Sequence, residues 1–446
     1  MSNKQAALEL GTKPIGTLLA QYALPAIVAM VASSLYNMID SIFIGQGVGA
    51  LAISGLAITF PFMNLSAAFG AAIGVGSSTF LSVKLGQRDY GIANSILGNC
   101  VMLNILVGIV FGGVCLLFLE PILRFFGASA YTMPYAKDYM EIILLGNAVT
   151  HLYLGLNAVL RAAGKPKMAM YLTIFTVILN AVLDPLFIYT FRLGIRGAAY
   201  ATVLSQLVAL GWQWMLFSKK SELLHFDYDK FKIKKRIVSS IVSIGISPFS
   251  MNACACLVVI FINNTLADYG GDMAVGAYGI ANRVAFVFVM VTFGVCQGMQ
   301  PIAGYNYGAQ NYSRLKEVLR LSVMAGTAVC AFGFLIAMAC PRLVARLFTT
   351  DEALIAMSVT ALRYIMAMFI IVGAQMVITN FFQSIGKAKV SIFLSLSRQL
   401  IFLVPALMVL PKVMGLDGVW LAMPLSDAIA AIMAYGMLWM YMKKLK

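Results

Sequence analysis

Charged residues are scarce in this sequence. Only 11% of its 446 residues are Asp, Glu, Lys or Arg, whereas 61% are hydrophobic, and the mean hydropathy is +0.89. Globular domains carry about 25% charged residues, so this composition excludes an ordinary soluble protein. It is typical of an all-α polytopic membrane protein, a chain that crosses the lipid bilayer many times.

Several chemical signatures are missing as well. No GxxxxGK[ST] motif occurs, so we expect no nucleotide to drive the protein. The seven cysteines all fall in apolar stretches without metal-ligand partners nearby, and we interpret them as small core residues. No clear cleavage site follows the polar start, so we expect the first helix to be retained.

Long apolar stretches are what the sequence has instead. A helix needs about 20 apolar residues to cross a hydrocarbon core about 30 Å thick. Stretches of that length predict 12 transmembrane helices joined by short loops. They lie near residues 16–43, 50–82, 94–118, 136–162, 167–190, 195–217, 238–267, 274–303, 317–340, 354–385, 388–410 and 415–442.

The net charge of +15 is explained by position rather than by a nucleic-acid partner. With both termini placed inside, most of the 32 Lys and Arg residues fall in the termini and in the loops on that same side. This asymmetry follows the positive-inside rule. It predicts a multi-pass protein of the cytoplasmic (inner) membrane whose N and C termini are both cytoplasmic.

The two halves of the chain repeat each other. LGQRDY at 85–90 matches YGAQNY at 307–312, and AAGKPK at 162–167 matches SIGKAK at 384–389, with the same separation along the chain in both cases. Each copy has an even number of helices, so both enter the membrane in the same direction. The pattern predicts two parallel six-helix repeats, the plan of a two-lobe transporter.

A polar stretch at the midpoint separates the repeats. It predicts a cytoplasmic linker at residues 218–237, between an N-lobe of residues 1–217 and a C-lobe of residues 238–446. Pro25 in the first helix recurs as Pro248 in the seventh, and a proline at this point allows a helix to bend.

Two acidic residues lie deep in apolar helices of the N-lobe. Asp184 stands in ILNAVLDPLFIY and Asp40 in SSLYNMIDSIFIG. Asn180 precedes Asp184 by four residues and Asn37 precedes Asp40 by three, so each pair shares one helix face. The C-lobe counterparts lack these acids, so the fold itself does not require them.

A carboxylate at mid-membrane is costly unless it is paired, faces a cavity or is neutral. No Lys or Arg lies at comparable depth in the N-lobe, so we expect the partner to come from solution. Thr202 in the sixth helix adds a hydroxyl, and Pro185 frees a backbone carbonyl beside the acid. Oxygen ligands with two negative charges suit Na⁺ or H⁺. The alternative is that these polar groups only join helices by hydrogen bonds.

At these motifs the sequence resembles the multidrug and toxin extrusion (MATE) family, which shares a superfamily with flippases of lipid-linked sugars. The resemblance covers essentially the whole chain. It rests on LPAIVAMVASSLYNMIDSIFIG, LGQRD, LRAAGKPKMAM, LNAVLDPLFI and GIRGAAYATVLSQ, in that order. It implies a V-shaped transporter of two six-helix lobes that exports cationic amphipathic compounds in exchange for Na⁺ or H⁺.

The resemblance also implies a cation site. Family members of this type use an acid in the first helix, an Asn and an acid in the fifth and a Thr in the sixth, which fall on Asp40, Asn180, Asp184 and Thr202. Na⁺ or H⁺ is then the coupling ion, with no other cofactor. We expect a monomer in the bilayer and no enzymatic activity. Entry of the ion neutralises the two acids and changes how the first helix, bendable at Pro25, packs against the fifth and sixth.

The C-lobe departs from family members that carry acids in the seventh and tenth helices. Here the seventh helix offers Asn263 and Asn264, and the tenth offers Gln375 and Gln383, which we interpret as candidate substrate contacts. Asp427, the one acid within a C-lobe span, is either a further substrate contact or a polar cap near a helix terminus.

Three alternatives stay open. His151 is either a proton relay or an ordinary buried polar residue. The protein as a whole is alternatively a flippase of lipid-linked sugars, but the cavity of a flippase needs cationic residues for pyrophosphate. An intramembrane enzyme with Asp40 and Asp184 as an aspartyl dyad is the third reading, and the duplicated plan with acids in one lobe favours transport over it.

Overall fold

The computed structural model describes residues 9–444. Within that range it leaves out the side chains of Leu35, Asn37, Met38, Ala50 and Tyr228. All regular elements of the described part are helices, as predicted. The first half contains α1 (Ile15–Gly47), α2 (Ala50–Gly86), α3 (Tyr90–Leu117), α4 (Leu119–Phe125), α5 (Met133–Leu145), α6 (Asn147–Ala162), α7 (Pro166–Pro185) with a π-helical extension (Leu186–Thr190), and α8 (Ile195–Phe217).

The second half repeats this order. It contains α9 (Lys235–Gly308), α10 (Tyr312–Ala339), α11 (Pro341–Arg346), α12 (Glu352–Ile365), α13 (Phe369–Ser384), α14 (Ala388–Leu396) with a π-helical segment (Ser397–Leu403), α15 (Val404–Met414) and α16 (Leu416–Lys444). Helices α3 and α10 have the same length and begin at equivalent positions of the two repeats. Residues with positive φ also recur at equivalent positions, Arg88 and Gln310. The predicted repeat is therefore confirmed in the backbone.

Eight helices of the described part are long and apolar enough to cross a membrane, or ten if each of two bent helix pairs forms one span. The bent pairs are α5 with α6, at 57°, and α12 with α13, at 50°. Helix α9 has 74 residues, about 110 Å of helix at 1.5 Å per residue, and breaks at Gly271, where φ is +66°. That length suffices for two crossings. The sequence-based count of twelve stays a prediction.

The described chain forms two compact units. The first contains residues 28–249 and 304–309 together with the N-terminal residues up to Lys13, and the second contains residues 14–27, 250–303 and 310 onward. Helices α1 and α9 are each divided between the units just after a proline, Pro25 and Pro248. Each unit therefore combines the second to sixth helices of one repeat with the first half-helix of the other.

Glycines make this packing close in both units. In the first unit, a Cβ at Gly76 would lie 2.1 Å from the carbonyl oxygen of Ile241. In the second unit, a Cβ at Gly298 would lie 2.5 Å from the backbone nitrogen of Ala23. No side chain fits at either position, so the backbones approach as small residues allow in membrane helices.

The polar stretch at the midpoint is docked on the first unit. Asn94 on α3 donates to the carbonyl of Leu223 (3.2 Å) and accepts from the N–H of His225 (3.1 Å). Asn99 likewise donates to the carbonyl of Lys232 at 3.3 Å and accepts from the N–H of Lys234 at 2.9 Å. Two amide side chains therefore bind the backbone of the linker. The sequence predicted this segment only as a polar connection.

Candidate functional site

The buried face of α7 positions the first two site residues. Its buried side chains recur every three or four residues, at Pro166, Ala169, Leu172, Thr176, Asn180 and Asp184. Because a helix turns once in 3.6 residues, these side chains form one stripe, and the stripe ends in an amide and a carboxyl group. Asp184 is 0% exposed. The predicted shared face of Asn180 and Asp184 is confirmed.

Asn180 joins Asp184 to the sixth-helix residue. Its amide satisfies both neighbours when Nδ2 donates to Asp184 Oδ2 at 3.0 Å and Oδ1 accepts from the backbone N–H of Thr202 at 3.2 Å. Thr202 is on α8 and is 4% exposed. The amide therefore fixes the position of the carboxylate relative to α8.

Helix α1 supplies the remaining groups. The hydroxyl of Tyr36 shares a hydrogen bond of 2.8 Å with Thr202 Oγ1. Asp40, one turn later on α1, is 5% exposed and interacts electrostatically with Asp184. The structure thus brings together Asp40, Asn180, Asp184 and Thr202 within the first unit, the four residues that the family resemblance selects.

Tyr36 is a site residue that sequence reasoning missed. A tyrosine in an apolar helix carries no pattern that separates a site residue from bulk. The available signal was its spacing, since Tyr36 precedes Asp40 by four residues and so lies on the same helix face. Tyr139 on α5 is buried and interacts electrostatically with Asp40, which places a second phenol near the carboxyl groups.

Pro185 changes the helix directly beyond Asp184. Proline has no N–H, so the carbonyl of Ala181 loses its usual intrahelical donor. The N–H of Leu186 bonds three residues back to Leu183, and the N–H of Phe191 then bonds five residues back to Leu186. The result is the π-helical turn at 186–190, a feature that is frequent at functional sites.

The π-helical turn contacts both neighbouring helices of the site. The hydroxyl of Tyr189 donates to the carbonyl of Phe43 on α1 at 3.1 Å. A Cβ at Gly197 on α8 would lie 2.8 Å from the carbonyl carbon of Phe187. Helices α1 and α8 are therefore held against the turn that follows Asp184, and a shift of the turn moves the site.

The donors of this site suit a small hard cation or a proton. They are two carboxyl groups, an amide and a hydroxyl, all oxygen ligands of the kind that Na⁺ accepts. Among the described residues no group of three or more His, Cys, Asp or Glu side chains could hold a metal ion, so a transition-metal centre has no ligand set there. Asp40 Oδ1 is buried and has no hydrogen-bond partner in the described part of the chain. A bound cation or proton would satisfy that oxygen.

Three further residues were predicted to support the site. Pro185 starts the π-helical turn described above. Pro25 lies inside α1 and next to the boundary at which α1 divides between the units. The side chain of Asn37 lies outside the described residues, so its predicted contribution stays a prediction.

The candidate substrate contacts of the C-lobe are not joined to one another. Asn263 is half-buried and Asn264 is exposed. Gln375 and Gln383 are buried on α13, and the amide oxygen of each has no hydrogen-bond partner among the described residues. No hydrogen bond links these four side chains to each other or to Asp427 in that part of the chain, and their substrate role stays a prediction.

Asp427 does not cap a helix. It lies well inside α16 and is 6% exposed. Its Oδ1 accepts a hydrogen bond of 2.7 Å from Nε of Arg398, which lies in the π-helical segment 397–403. The interpretation as a terminal cap is therefore wrong, because the carboxylate is held in an ion pair between two helices.

His151 is buried on α6 at a close helix contact. Its Nε2 lies 2.9 Å from the carbonyl of Ser66, so that nitrogen donates and carries the proton. Its Nδ1 has no hydrogen-bond partner among the described residues. A Cβ at Gly70 would lie 2.8 Å from the Cα of His151, so α2 and α6 pack backbone to backbone here. A relay role needs a second partner, and no described contact supplies one.

A surface cavity of about 800 Å³ lies elsewhere in the first unit, beside α4, α5 and the start of α8. Its charges compensate one another. Lys137 bonds Glu120 at 2.7 Å, and Arg196 bridges Asp138 and Glu141 at 3.1 and 3.3 Å. The hydrogen bond from Lys137 holds the pKa of the Glu120 carboxyl below its usual value. Paired acids do not need a cation from solution, unlike Asp40 and Asp184.

Comparison with known proteins agrees with the duplicated plan. The MatE family model matches this chain twice, at residues 25–186 and 247–408, so that the two matches have equal length and begin at equivalent points of the two repeats. A curated relative, the multidrug export protein MepA of Staphylococcus haemolyticus (strain JCSC1435), is 26% identical over 413 residues, 93% of this chain and 91% of the relative. MepA of Staphylococcus aureus (strain N315) is 27% identical over 421 residues, 94% of this chain and 93% of its own.

Solved structures share the fold. A multidrug resistance MATE family transporter of the MOP superfamily, in an outward-facing conformation, aligns with a TM-score of 0.92 at 24% identity and covers 99% of this chain and 98% of its own. The family model covers well over half of the chain, in two copies that coincide with the two structural repeats. This protein therefore belongs to the MatE family of transporters.

Proposed function

We propose that this protein is a multidrug antiporter that exports cationic amphipathic compounds in exchange for Na⁺ or H⁺. The observation that carries the proposal is the pair of buried carboxyl groups in the first unit, Asp40 and Asp184. Neither forms a salt bridge with a basic residue in the described part of the chain, and one oxygen of Asp40 is left without a partner. The names of the MepA relatives support drug export as the transport activity.

The charge of the site supports cation coupling. Two ionised carboxylates in an apolar bundle are strongly unfavourable, and they become acceptable when a cation or proton binds. The bound cation adds attraction between Asp40 on α1 and Asp184 on α7, while Asn180 ties Asp184 to α8. Binding therefore draws α1 toward α7 and α8, and release loosens it. Alternating access follows if the outward- and inward-facing states differ in this contact.

The energy of one coupling ion is sufficient for useful export. One charge that moves down a membrane potential of 100 mV yields about 2.3 kcal/mol. A tenfold gradient of drug requires about 1.4 kcal/mol, which the potential supplies when more positive charges enter than leave in one exchange cycle. A one-for-one exchange with a singly charged drug moves no net charge, so a roughly tenfold inward concentration gradient of the coupling ion has to drive it instead. No nucleotide needs to be consumed.

We also propose the setting in which this exchange works. The excess of Lys and Arg on the side of the termini supports an inner-membrane protein with cytoplasmic N and C termini. The proposed ion site lies within one chain, which supports a functional monomer, and the names of the MepA relatives support a transporter rather than an enzyme. The flippase alternative has less support, because the buried acids of the first unit would repel a pyrophosphate.

Ethidium efflux tests the proposal. Energised cells or inverted vesicles carry the wild type, Asp40→Asn or Asp184→Asn, with imposed Na⁺ or pH gradients, and Asp229→Asn in the exposed part of the linker serves as a control. We expect one gradient to drive efflux in the wild type and the control, and both buried substitutions to abolish it at normal expression. Efflux at the wild-type rate in Asp40→Asn and Asp184→Asn would refute coupling at this site.

A further inference from the structure

The second unit contains a buried acid whose counter-charge is part of the chain. The Asp427 side chain is 8% exposed and is paired with Arg398, whose side chain is 34% exposed, at 2.7 Å. Buried acids of the first unit, Asp40 and Asp184, have no such partner among the described residues. The buried carboxylate of the second unit therefore has a positively charged partner within the chain, whereas those of the first unit have none among the described residues.

The ion pair occupies the repeat-equivalent helix pair of the cation site. Arg398 and Asp427 lie on the fifth and sixth helices of the second repeat, as Asn180, Asp184 and Thr202 lie on α7 and α8 of the first. When GLDGVWLAMPLSD at 415–427 is aligned with GIRGAAYATVLSQ at 194–206, Asp427 corresponds to Gln206, four residues after Thr202. When SIGKAK is aligned with AAGKPK, Arg398 corresponds to Thr176, four residues before Asn180.

Both displacements point the same way. Helices α7 and α8 are consecutive and joined by a short loop, so a step back along one and forward along the other moves in the same direction. The ion pair therefore lies about one helical turn from the level that corresponds to the cation site. The first unit has no charge at those positions, since the residues there are a threonine and a glutamine. The Thr176 hydroxyl donates to the carbonyl of Leu172 in its own helix, and Gln206 accepts from Thr150 at 2.6 Å.

Arg398 supplies the positive charge next to Asp427. Arg398 is the charged group that interacts with Asp427 in the described part of the chain. Tyr278 on α9 and Cys330 on α10 interact electrostatically with Arg398, and neither side chain carries a positive charge in any state. Removal of the guanidinium would leave Asp427 as an uncompensated buried carboxylate, the situation of Asp40 and Asp184.

We propose that Arg398 is a tethered cation, which permanently fills in the second unit the role that Na⁺ or H⁺ fills in the first. Asp427 is then a latent cation site that its own arginine occupies. Only the first unit takes an ion from solution, which limits coupling to that unit. The proposal rests on the proposed coupling role of Asp40 and Asp184 for its meaning, and its test reads the second unit separately.

Cation binding to the purified full-length protein tests this assignment. The background variant carries Asp40→Asn and Asp184→Asn, and binding is measured with isotopic Na⁺ and as proton uptake in a pH titration. We expect the background variant to bind no Na⁺ in detergent micelles, and its proton uptake sets the baseline of the remaining titratable groups. Addition of Arg398→Gln should create binding of a single cation or proton, and further addition of Asp427→Asn should abolish it.

Two controls separate charge from packing. Arg398→Lys keeps a tethered positive charge, so we expect no new binding in that variant. If Arg398 only made a structural contact, no variant would gain an Asp427-dependent binding site. Arg398→Met keeps the bulk of the side chain and carries the same test if the Gln variant does not fold. A folded Arg398→Gln or Arg398→Met variant without new Asp427-dependent binding would overturn the tethered cation.

Failure of the proposed function would look different. If the Asp40→Asn, Asp184→Asn background binds cations as the wild type does, coupling at the first unit is wrong. The binding added by Arg398→Gln and removed by Asp427→Asn would still be measured against that background. Comparison of the background with the wild type therefore tests the proposed function, and comparison of Arg398→Gln with the background tests the tethered cation.

Discussion

At the scale of single residues, the site depends on how each buried carboxyl group is neutralised. Asp427 has Arg398 at 2.7 Å, whereas the hydrogen-bond partner of Asp184 among the described residues is the amide of Asn180, at 3.0 Å. An amide donates a hydrogen bond but does not cancel a charge. Under the proposed function, a cation or a proton from solution compensates the acids of the first unit, whereas Arg398 compensates Asp427 in the second.

Tyr36→Phe tests the contribution of the phenol. The substitution removes the hydrogen bond of 2.8 Å to Thr202 and keeps the ring. Hydrogen bonds between membrane helices contribute about 0.6 kcal/mol and at most about 1.7. We expect the affinity for the coupling ion to fall about threefold, and at most about twentyfold, measured as the ion concentration that gives half-maximal efflux. Tyr171→Phe on α7, a residue 52% exposed, is the control; equal affinities in both variants would exclude Tyr36 from the site.

Part of the residue-level picture was accessible from the sequence. A spacing of four residues placed Asn180 and Asp184 on one face, and the structure has them bonded. The pairing of Arg398 with Asp427 was not accessible, because the residues are 29 positions apart on different helices. Which side chains meet across two helices depends on helix rotation, and sequence periodicity does not fix that rotation when most faces are apolar.

At the scale of helices and turns, the π-helical turn after Pro185 is the connection between the three helices of the site. It bonds α1 through Tyr189 and packs without a gap against Gly197 of α8. Since packed interfaces do not deform continuously, movement of α1 on ion binding should be transmitted to α8 through this turn.

Gly197→Ala tests that transmission. The added Cβ would lie 2.8 Å from the backbone of Phe187, which cannot rotate away as a side chain can. Overpacking of this kind costs typically about 1–3 kcal/mol, so we expect a lower thermal midpoint and weaker ion-driven efflux. Gly211→Ala in the same helix meets no atom within 4 Å and is the matched control. Equal efflux and equal midpoints for the two variants would contradict the close contact.

Docking of the linker is a second element-level feature. Asn94 and Asn99 each make two hydrogen bonds to the linker backbone. Loss of two such bonds costs roughly 1–3 kcal/mol. We therefore expect Asn94→Ala and Asn99→Ala to increase amide hydrogen exchange at residues 221–234 without loss of the transmembrane fold.

The control for this experiment is Ser221→Ala, at an exposed linker position. Unchanged protection of residues 221–234 in both Asn variants would show that the linker is held by other contacts, for example the tilted ring contact between Trp214 and Phe226. The sequence predicted the position of the linker from its polarity. Its attachment could not be predicted, because an asparagine in an apolar helix has many potential partners.

At the scale of the whole molecule, the duplication extends to individual backbone contacts. In the first unit a Cβ at Gly86 would lie 2.0 Å from the carbonyl oxygen of Tyr305, and a Cβ at Gly308 would lie 2.0 Å from that of Val83. Gly86 and Gly308 are equivalent in the two repeats, and so are Val83 and Tyr305. The two contacts are therefore one contact seen from each repeat.

Alanine at either glycine should be equally harmful. Gly86→Ala and Gly308→Ala each place a methyl group against a backbone carbonyl, so we expect similar losses of roughly 1–3 kcal/mol or more in stability. Thermal unfolding in detergent measures the effect, with Gly113→Ala, which meets no atom within 4 Å, as the control. A large effect at one glycine and none at the other would argue against an equivalent contact.

The repeat was the most reliable sequence-based prediction, because a constant offset through many motifs is improbable without duplication. The exchange of half-helices was not predictable. It places residues 14–27 in the second unit and residues 235–249 in the first. The sequence marks Pro25 and Pro248 as points of bending, but which unit each half-helix joins is decided by glycine contacts that are distant in sequence.

The most direct test of the account is reversed exchange in proteoliposomes. A gradient of ethidium is imposed across the membrane without any ion gradient, and the counterflow of H⁺ or Na⁺ is recorded for the wild type and for Asp184→Asn. If the buried acids of the first unit couple transport, the drug gradient drives ion flux in the opposite direction in the wild type and none in the variant. Equal ion counterflow in both proteins would contradict the central claim that Asp184 forms part of the coupling site.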